Sequence, residues 1–108
     1  MNIQNLQKKL RSFADERDWN QFHSPKNLAM ALSVEAAELL EHFQWLTQEQ
    51  SSSPESVDRA AVAEEIADIQ IYLAMIAGKL DIDIEEAVDA KIETNAGKYP
   101  PLATPAGS

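Results

Sequence analysis

The segment Ser33–Trp45, SVEAAELLEHFQW, decides the fold because it has helical periodicity and yet places a carboxylate on its apolar side. At about 100° per residue, the leucines of this helix lie within about 40° of one another and Glu35 falls inside their stripe. Burying an unpaired charge costs several kcal/mol, so Glu35 requires an explanation. The leucines of the stripe are Leu28, Leu32, Leu39 and Leu46.

Two helices of the sequence each carry an acidic pair with i, i+3 spacing. Glu38 lies at the edge of the leucine stripe, and a later helix places Glu65 beside an apolar stripe with Asp68 about 60° further round. If the two helices pack antiparallel, the pairs Glu35/Glu38 and Glu65/Asp68 converge. A divalent cation relieves the resulting repulsion better than protonation does, and all-oxygen ligands favour Mg²⁺ or Mn²⁺ over zinc. The alternative is that these acids are solvated or paired with lysines.

The periodicity predicts four helices and no strand, hence an all-α fold of the four-helix-bundle type. Ser24 and Pro25 have the residue types of a helix start, as does Asp83 with Glu86 three residues later. We expect one domain over residues 1–100 and a loose tail over 101–108. The predicted helices span Ile3–Asp18, Pro25–Trp45, about Pro54 to Leu80, and Ile84–Ala96, with a polar loop before the third and Gly97 ending the fourth.

The third predicted helix is apolar around nearly its whole circumference, which indicates burial on more than one face. A 108-residue monomer has little bulk with which to bury it, so we expect a homo-oligomer. The alternative is a central helix in a monomeric bundle. One stripe comprises Val62, Ile66, Ile69, Leu73 and Ile76, and the other side carries Ala63, Ala67, Ile71, Ala74 and Met75.

The composition excludes several classes of function. The formal net charge of −9 disfavours nucleic-acid polymers and anionic membranes as partners. The absence of cysteine excludes disulfides and thiolate metal sites. No apolar run approaches the roughly 18–20 residues that span a bilayer, and the first residues have no signal-peptide character, so we expect a cytoplasmic protein.

Two other metal chemistries fit the residues poorly. Di-iron carboxylate bundles use Glu-x-x-His motifs on two helices, whereas Glu38 and His42 are four residues apart and the third helix has no histidine. The His-Glu-x-x-His motif of zinc peptidases is absent. His42 itself is expected to face solvent or an interface.

The acidic pairs and their surroundings resemble a known family, the MazG-like all-α nucleoside triphosphate pyrophosphohydrolases. WNQFHSPKNLAMALSVEAAELLEHFQW is similar to the dCTP pyrophosphatase branch of that family, and so are EEIADIQIYL and the closing KIETNAGKYP. The resemblance covers roughly residues 1–100. Each motif is weak alone, but as a set they are specific.

The resemblance implies a helical dimer, or a tetramer built from dimers, that uses Mg²⁺ to hydrolyse a (d)NTP to the monophosphate and pyrophosphate. A house-cleaning role with a preference for dCTP or modified dCTP follows from the branch. The implied metal ligands are Glu35, Glu38, Glu65 and Asp68. The implied nucleoside pocket comprises Trp19, His23, Trp45 and Tyr72, and the implied phosphate-binding residues are Lys91, Asn95, Lys98 and Tyr99.

The residues themselves are compatible with these roles. Lys91, Asn95 and Lys98 share one helix face and offer a local cationic patch in an acidic chain, although lysines also favour any helix end. We hypothesise that water attacks the α-phosphorus and that Glu38 or Glu41 accepts its proton. Two alternatives remain: a helical dimerisation or adaptor module, and a family member that binds nucleotides without hydrolysing them.

Overall fold

The computed structural model describes residues 1–102, which form five α-helices and no strand. The all-α prediction is therefore confirmed for this part of the chain, whereas most of the expected tail, residues 103–108, lies outside the described residues. No helix within residues 1–102 combines the length and apolar character needed to cross a bilayer. The helices are α1 (Ile3–Glu16), α2 (Pro25–Glu41), α3 (Gln48–Ser51), α4 (Arg59–Lys79) and α5 (Ile84–Lys98), with a 3₁₀ turn at Asn20–Phe22.

Side-chain caps start α2 and α5 where the sequence predicts them. The Ser24 hydroxyl accepts a hydrogen bond from the Asn27 amide at 3.1 Å, and Pro25 occupies the first helical position. The Asp83 carboxylate accepts one from the Glu86 amide at 3.0 Å. Each cap satisfies an amide that lacks a partner within its helix.

Three other predicted boundaries are wrong, and α1 ends two residues earlier than predicted. α2 ends at Glu41 rather than Trp45, because the amides of the next residues bond in tighter turns, as in Phe43 to the Leu40 carbonyl at 2.9 Å. α4 begins at Arg59 rather than near Pro54, because Asp58 supplies its cap. α5 continues through Gly97 to Lys98.

The polar loop before α4 contains a short helix that the periodicity did not predict. Thr47 and Gln50 form a reciprocal capping box around α3, with each side chain accepting a hydrogen bond from the other residue's amide. Four residues are too few to show an apolar period, so only the cap signals this helix.

α1 and α4 both end in a left-handed residue that is an aspartate. Asp18 and Asp81 have φ of 54°, and the following amides bond back to the Ala14 and Ala77 carbonyls at 2.9 Å each. This is the hydrogen-bond pattern of a Schellman motif, in which glycine is the usual residue. The turn at Asp81 sets the direction in which α5 leaves α4.

The antiparallel pair α2–α4 is the framework of the chain. Asn20, just before α2, lies beside Lys79 at the end of α4. Glu38, near the end of α2, lies beside Glu65 in the first half of α4, so the two helices run in opposite directions. α1 packs on α4, where the Gln7 side-chain amide donates to the Ala74 carbonyl at 3.0 Å. The most buried apolar residues of these helices are Ala14, Leu28, Ala74 and Ala77.

The helix α5 stands away from the other helices. It forms no extensive contact with them, and every residue from 85 to 102 is exposed. The radius of gyration is 17.8 Å, against about 13 Å for a compact chain of this length. A four-helix bundle is therefore not completed within one chain and stays a prediction for an assembly.

Apolar surface is exposed on the two framework helices as well. On α4, Ile66 is 56% and Leu73 is 42% exposed, although both belong to the stripe that the sequence predicted to be covered. On α2, Met30 and Val34 are just over half exposed. Several large apolar side chains exposed on the same two helices are a feature of interaction surfaces.

Candidate active site

Three carboxylates converge between the middle of α2 and the first half of α4. One oxygen from each of Glu35, Glu38 and Glu65 lies within 4.8 Å of the other two, and all three residues are half-buried. We call these residues the acidic trio. Glu35 and Glu38 share one side of α2 because they are three residues apart, and the antiparallel packing brings Glu65 opposite them.

The buried oxygens of the trio are not all satisfied by hydrogen bonds. The Oε2 atoms of Glu35 and Glu65 are buried and have no hydrogen-bond partner. The pKa of Glu35 is raised from 4.5 to about 7, chiefly by burial and then by side-chain hydrogen bonds with Glu65 and Glu38, which require a proton on one of the carboxyl groups. The negative charges of Glu38 and Asp68 add to this effect. The site therefore favours a positive charge, either a proton or a cation.

A divalent cation fits this set of donors. Buried carboxylate oxygens without partners are costly unless something positive binds them. Hard oxygen donors of this kind suit Mg²⁺, Mn²⁺ or Ca²⁺ rather than softer ions. The three carboxylates, drawn from two helices, would be its protein ligands.

His42 lies beside the trio, although the sequence analysis assigned it to solvent or an interface. Its Nε2 is 3.8 Å from Glu65 Oε1, and its side chain is only 27% exposed. This distance is too long for a hydrogen bond but close enough for an electrostatic contact. The signal that indicates this position is spacing, because His42 follows Glu38 by four residues and so shares its side of α2.

The other two predicted acids lie at the margin. Asp68 is exposed one turn beyond Glu65, outside the trio, but near enough that its charge raises the pKa of Glu35. Glu41 is the last residue of α2 and is exposed. Its role as a proton acceptor stays a prediction.

Trp19 and His23 lie at the opposite end of α2 from the trio. The Trp19 ring meets Phe13 edge-on at 5.4 Å and His23 at 6.3 Å between centroids. His23 Nδ1 is buried without a partner and the residue borders a cleft of about 60 Å³ between α1 and α4. His23 precedes Glu35 by 12 residues, which corresponds to about 18 Å of helix rise.

The remaining aromatic residues of the predicted nucleoside pocket lie nearer the trio. Tyr72 is half-buried one turn beyond Asp68, and Trp45 is 87% exposed just after α2. Trp19 and Trp45 therefore flank α2, a helix about 25 Å long. Stacked rings have centroids only about 4.5–7 Å apart, so the two tryptophans of one chain cannot stack on the same base.

The predicted phosphate-binding residues all lie on or next to α5. Lys91, Asn95, Lys98 and Tyr99 are exposed, and α5 does not bring them to the trio of the same chain.

Comparison with known proteins assigns the chain to a family. The model of the MazG-like family matches residues 30–103, a segment that contains the whole acidic trio. The chain belongs to the MazG-like family. The resemblance seen in the sequence is thus confirmed.

Relatives of this MazG-like chain carry a specific name. The dCTP pyrophosphatase 1 of Bos taurus is 48% identical over 92 residues, and that of Homo sapiens is 46% identical over 92 residues. Each match covers 82% of this chain but 53% of the relative, so the chain spans about half the length of the curated relatives it matches. A crystal structure of a pyrophosphatase from Archaeoglobus fulgidus superposes with a TM-score of 0.82 and 44% identity, covering 90% of this chain and 91% of that one.

Proposed function

We propose that this MazG-like chain is a nucleoside triphosphate pyrophosphohydrolase that uses Mg²⁺ to convert a (d)NTP to the monophosphate and pyrophosphate. The observation that supports this most directly is the acidic trio, three half-buried carboxylates from two helices, in which two buried oxygens have no hydrogen-bond partner. The pyrophosphatase names of the relatives support the same reaction. Bound at the trio, Mg²⁺ would neutralise the acids and the phosphate oxygens and supply Lewis-acid chemistry, and Mn²⁺ would serve as a substitute.

We assign separate roles in the reaction to individual residues of the chain. Water attacks the α-phosphorus, its proton passes to a carboxylate, and the bond to the pyrophosphate oxygen breaks. Glu38 and Glu41 are the candidate proton acceptors, since Glu38 belongs to the trio and Glu41 follows it by one turn of α2. Asp68 is the proposed fourth ligand, because its charge already acts on Glu35.

We propose dCTP or a modified dCTP as the preferred substrate, a house-cleaning role and a cytoplasmic location. The substrate proposal rests on the names of the relatives. Tyr72 and Trp45, which are nearer the trio than Trp19 is, are proposed to bind the nucleoside. Trp19 and His23, at the far end of α2, are proposed to belong to the nucleoside pocket as well.

The assembly that we propose is a homo-oligomer, either a dimer or a tetramer built from dimers. The exposed apolar faces of α2 and α4 support this assembly, as does the separation of α5 from the other helices. Neither a nucleic-acid polymer nor a membrane is proposed as a partner.

Incubation with Mg²⁺ and a panel of (d)NTPs, including dCTP and 5-methyl-dCTP, tests the proposal when products are identified by mass. We expect the monophosphate and pyrophosphate, with no reaction in a chelator. Release of single phosphates, or no product, would contradict it. Glu38→Gln should abolish turnover while the fold is kept, whereas Glu64→Gln, an exposed neighbour on α4 outside the trio, should leave turnover unchanged.

The same assay separates the two alternative functions. An adaptor module predicts no Mg²⁺-dependent pyrophosphate release and a Glu38→Ala variant that behaves like wild type. A nucleotide-binding protein without activity predicts tight binding of an unhydrolysable analogue with no turnover.

A further inference from the structure

His42 is held at the end of α2 with its imidazole beside the acidic trio. Its backbone amide bonds to the Leu39 and Leu40 carbonyls, and its φ of −67° and ψ of −16° are still helical. A side chain four residues after Glu38 lies on the same side of the helix and leans back over the preceding turn. The local structure of α2 therefore fixes the direction in which His42 points.

The two carboxylate oxygens of Glu65 have different surroundings. Oε1 faces His42 Nε2 at 3.8 Å, whereas Oε2 is buried and has no hydrogen-bond partner. Among residues 1–102, no other basic side chain lies within 4.0 Å of a trio oxygen. His42 thus contacts one oxygen of Glu65 and leaves the other available to a cation.

His42 does not belong to the ligand set itself. In the described part of the chain, the possible ligands that lie within 4.8 Å of one another are the three glutamates of the trio, without His42. Carboxylates that bind a metal are commonly held in orientation by hydrogen bonds from residues around them. The position of His42 is therefore that of a residue that orients a ligand.

We infer that His42 is a positioning residue, whose Nε2–H donates a hydrogen bond to Glu65 Oε1 when the trio holds a cation and so keeps Glu65 Oε2 directed at that cation. The inference rests on the proposed function, in which the trio binds Mg²⁺. The observed separation exceeds the usual N–H···O distance by roughly 0.8 Å, and hydrogen bonds in active sites are often long until the ligand binds. The role does not depend on charge, because the neutral Nε2–H tautomer and the imidazolium both carry this proton.

Two substitutions of His42 test the inference without any turnover. His42→Leu removes the donor, whereas His42→Gln keeps an N–H group near the position of Nε2. We expect the leucine variant to bind Mg²⁺ about 10–100-fold more weakly than wild type and the glutamine variant to stay within about threefold of it. Calorimetric titration of the substrate-free protein measures the affinity. Gln48→Leu, at an exposed position on α3, is the control for the added apolar side chain and should bind Mg²⁺ like wild type.

Steady-state kinetics separate positioning from catalysis. In His42→Leu, the Mg²⁺ concentration that gives half-maximal turnover should rise as the affinity falls, while kcat at saturating Mg²⁺ stays within about threefold of wild type, because Glu65 itself is retained. A large loss of kcat at saturating Mg²⁺ would overturn the inference, since it would indicate that His42 transfers a proton.

Two results of the titration would also overturn the inference: wild-type affinity in His42→Leu, or an affinity of His42→Gln as weak as that of His42→Leu. In both cases wild type still binds Mg²⁺, so the proposed function stands. A wild-type protein that binds no Mg²⁺ would refute the proposed function, and the inference with it.

The wild-type protein provides a readout that needs no variant of His42. The chain has two histidines, so histidine-selective ¹⁵N labelling gives few imidazole signals in an NMR spectrum, and His23→Asn assigns them. In the Mg²⁺ complex we expect His42 to carry a proton on Nε2 that exchanges more slowly with water than in the metal-free protein. An Nε2 without a proton would overturn the inference, because it would indicate the other tautomer or direct ligation of the metal.

Discussion

The ionised form of Glu35 is unfavourable in its surroundings unless a cation binds beside it. Its Oε2 is buried without a partner, and two further carboxylates lie within 4.8 Å. In the metal-free chain this arrangement opposes folding, because like charges repel and burial disfavours the ionised form. Stability and cation binding are therefore coupled at this residue.

Replacing Glu35 by glutamine should separate stability from activity. We expect Glu35→Gln to raise the Tm of the metal-free protein above pH 7, because a buried charge and its repulsion are removed. Turnover should fall at least about 100-fold, since loss of a residue that merely supports a metal ligand already costs 10–100-fold. Thermal melting with and without Mg²⁺ provides the measurement, and the variant should lose most of the Mg²⁺-induced rise in Tm.

Glu64→Gln is the matched control for this substitution, since it removes the same charge from an exposed position on α4. It should keep both the turnover and the response of the Tm to Mg²⁺. If Glu35→Gln lowered the Tm of the metal-free protein, the trio would not be a site of electrostatic repulsion.

The raised pKa of Glu35 also predicts how stability depends on pH. The folded chain keeps this proton up to about pH 7, whereas the unfolded chain loses it near pH 4.5. The folded state thus binds more protons between these values, so the Glu35 contribution to the free energy of unfolding is fully present below pH 4.5 and lost as pH rises through 7. Urea titrations of the metal-free protein from pH 4.5 to 8 measure it, and the decline should be smaller in Glu35→Gln. Equal slopes in the two proteins would contradict the assignment.

The convergence of Glu35, Glu38 and Glu65 could be predicted from the sequence. Their positions depend only on the period of α2 and α4 and on the antiparallel packing of the two helices. Asp68 is rotated about 60° away from Glu65, so whether it joins the trio depends on side-chain reach rather than on phase. The spacing of four residues from Glu38 places His42 on the same side of α2, but spacing alone does not tell a side chain that contacts the trio from one that faces solvent.

At the scale of the helices, the aspartates that end α1 and α4 adopt a conformation that favours glycine. Asp81 has φ of 54° and directs α5 away from α4. A left-handed conformation costs an L-residue about 1–2 kcal/mol, less for aspartate than for branched residues.

Substitutions at Asp81 should therefore have opposite effects on stability. We expect Asp81→Gly to change the free energy of unfolding by no more than about 1 kcal/mol, in the stabilising direction, and Asp81→Val to lower it by about 1–3 kcal/mol. Urea denaturation at fixed pH measures both. Asp83→Val is unsuitable as a control because Asp83 caps α5, so Asp89→Val on the exposed part of α5 serves instead. A stabilising Asp81→Val would exclude strain at this turn.

Helix starts were predictable where only one cap was available. Ser24 and Asp83 each stand alone before an apolar period, and both start their helices. Before α4, Ser53 with Pro54 and Asp58 with Arg59 are both acceptable starts, and local sequence does not rank them. The structure uses Asp58, whose Oδ1 accepts from the Ala61 amide at 3.1 Å. Gly97 did not end α5, because no neighbouring element requires the chain to turn there.

At the scale of the molecule, the chain has more apolar side chains than its own helices bury. The sequence predicted this excess from α4, whose apolar residues surround nearly the whole helix. It could not predict that α5 would diverge from the rest of the chain, because that direction depends on one turn at Asp81. Prediction from sequence therefore reached the four long helices and the excess of apolar surface, but neither the short helix α3 nor the direction of α5.

Placing a charge on the exposed face of α4 tests whether that face is covered in solution. Ile66→Glu should convert the oligomer to smaller species, because a carboxylate would be buried in an apolar contact without a partner. In a monomer the same change would be nearly neutral, within about 0.5 kcal/mol, since Ile66 is 56% exposed. Sedimentation velocity measures the assembly and urea denaturation measures the stability. Glu64→Lys changes charge on the same helix and should leave the oligomer intact. An Ile66→Glu protein that sediments like wild type would exclude this face from the interface, and a wild-type protein that sediments as a monomer would exclude the assembly itself.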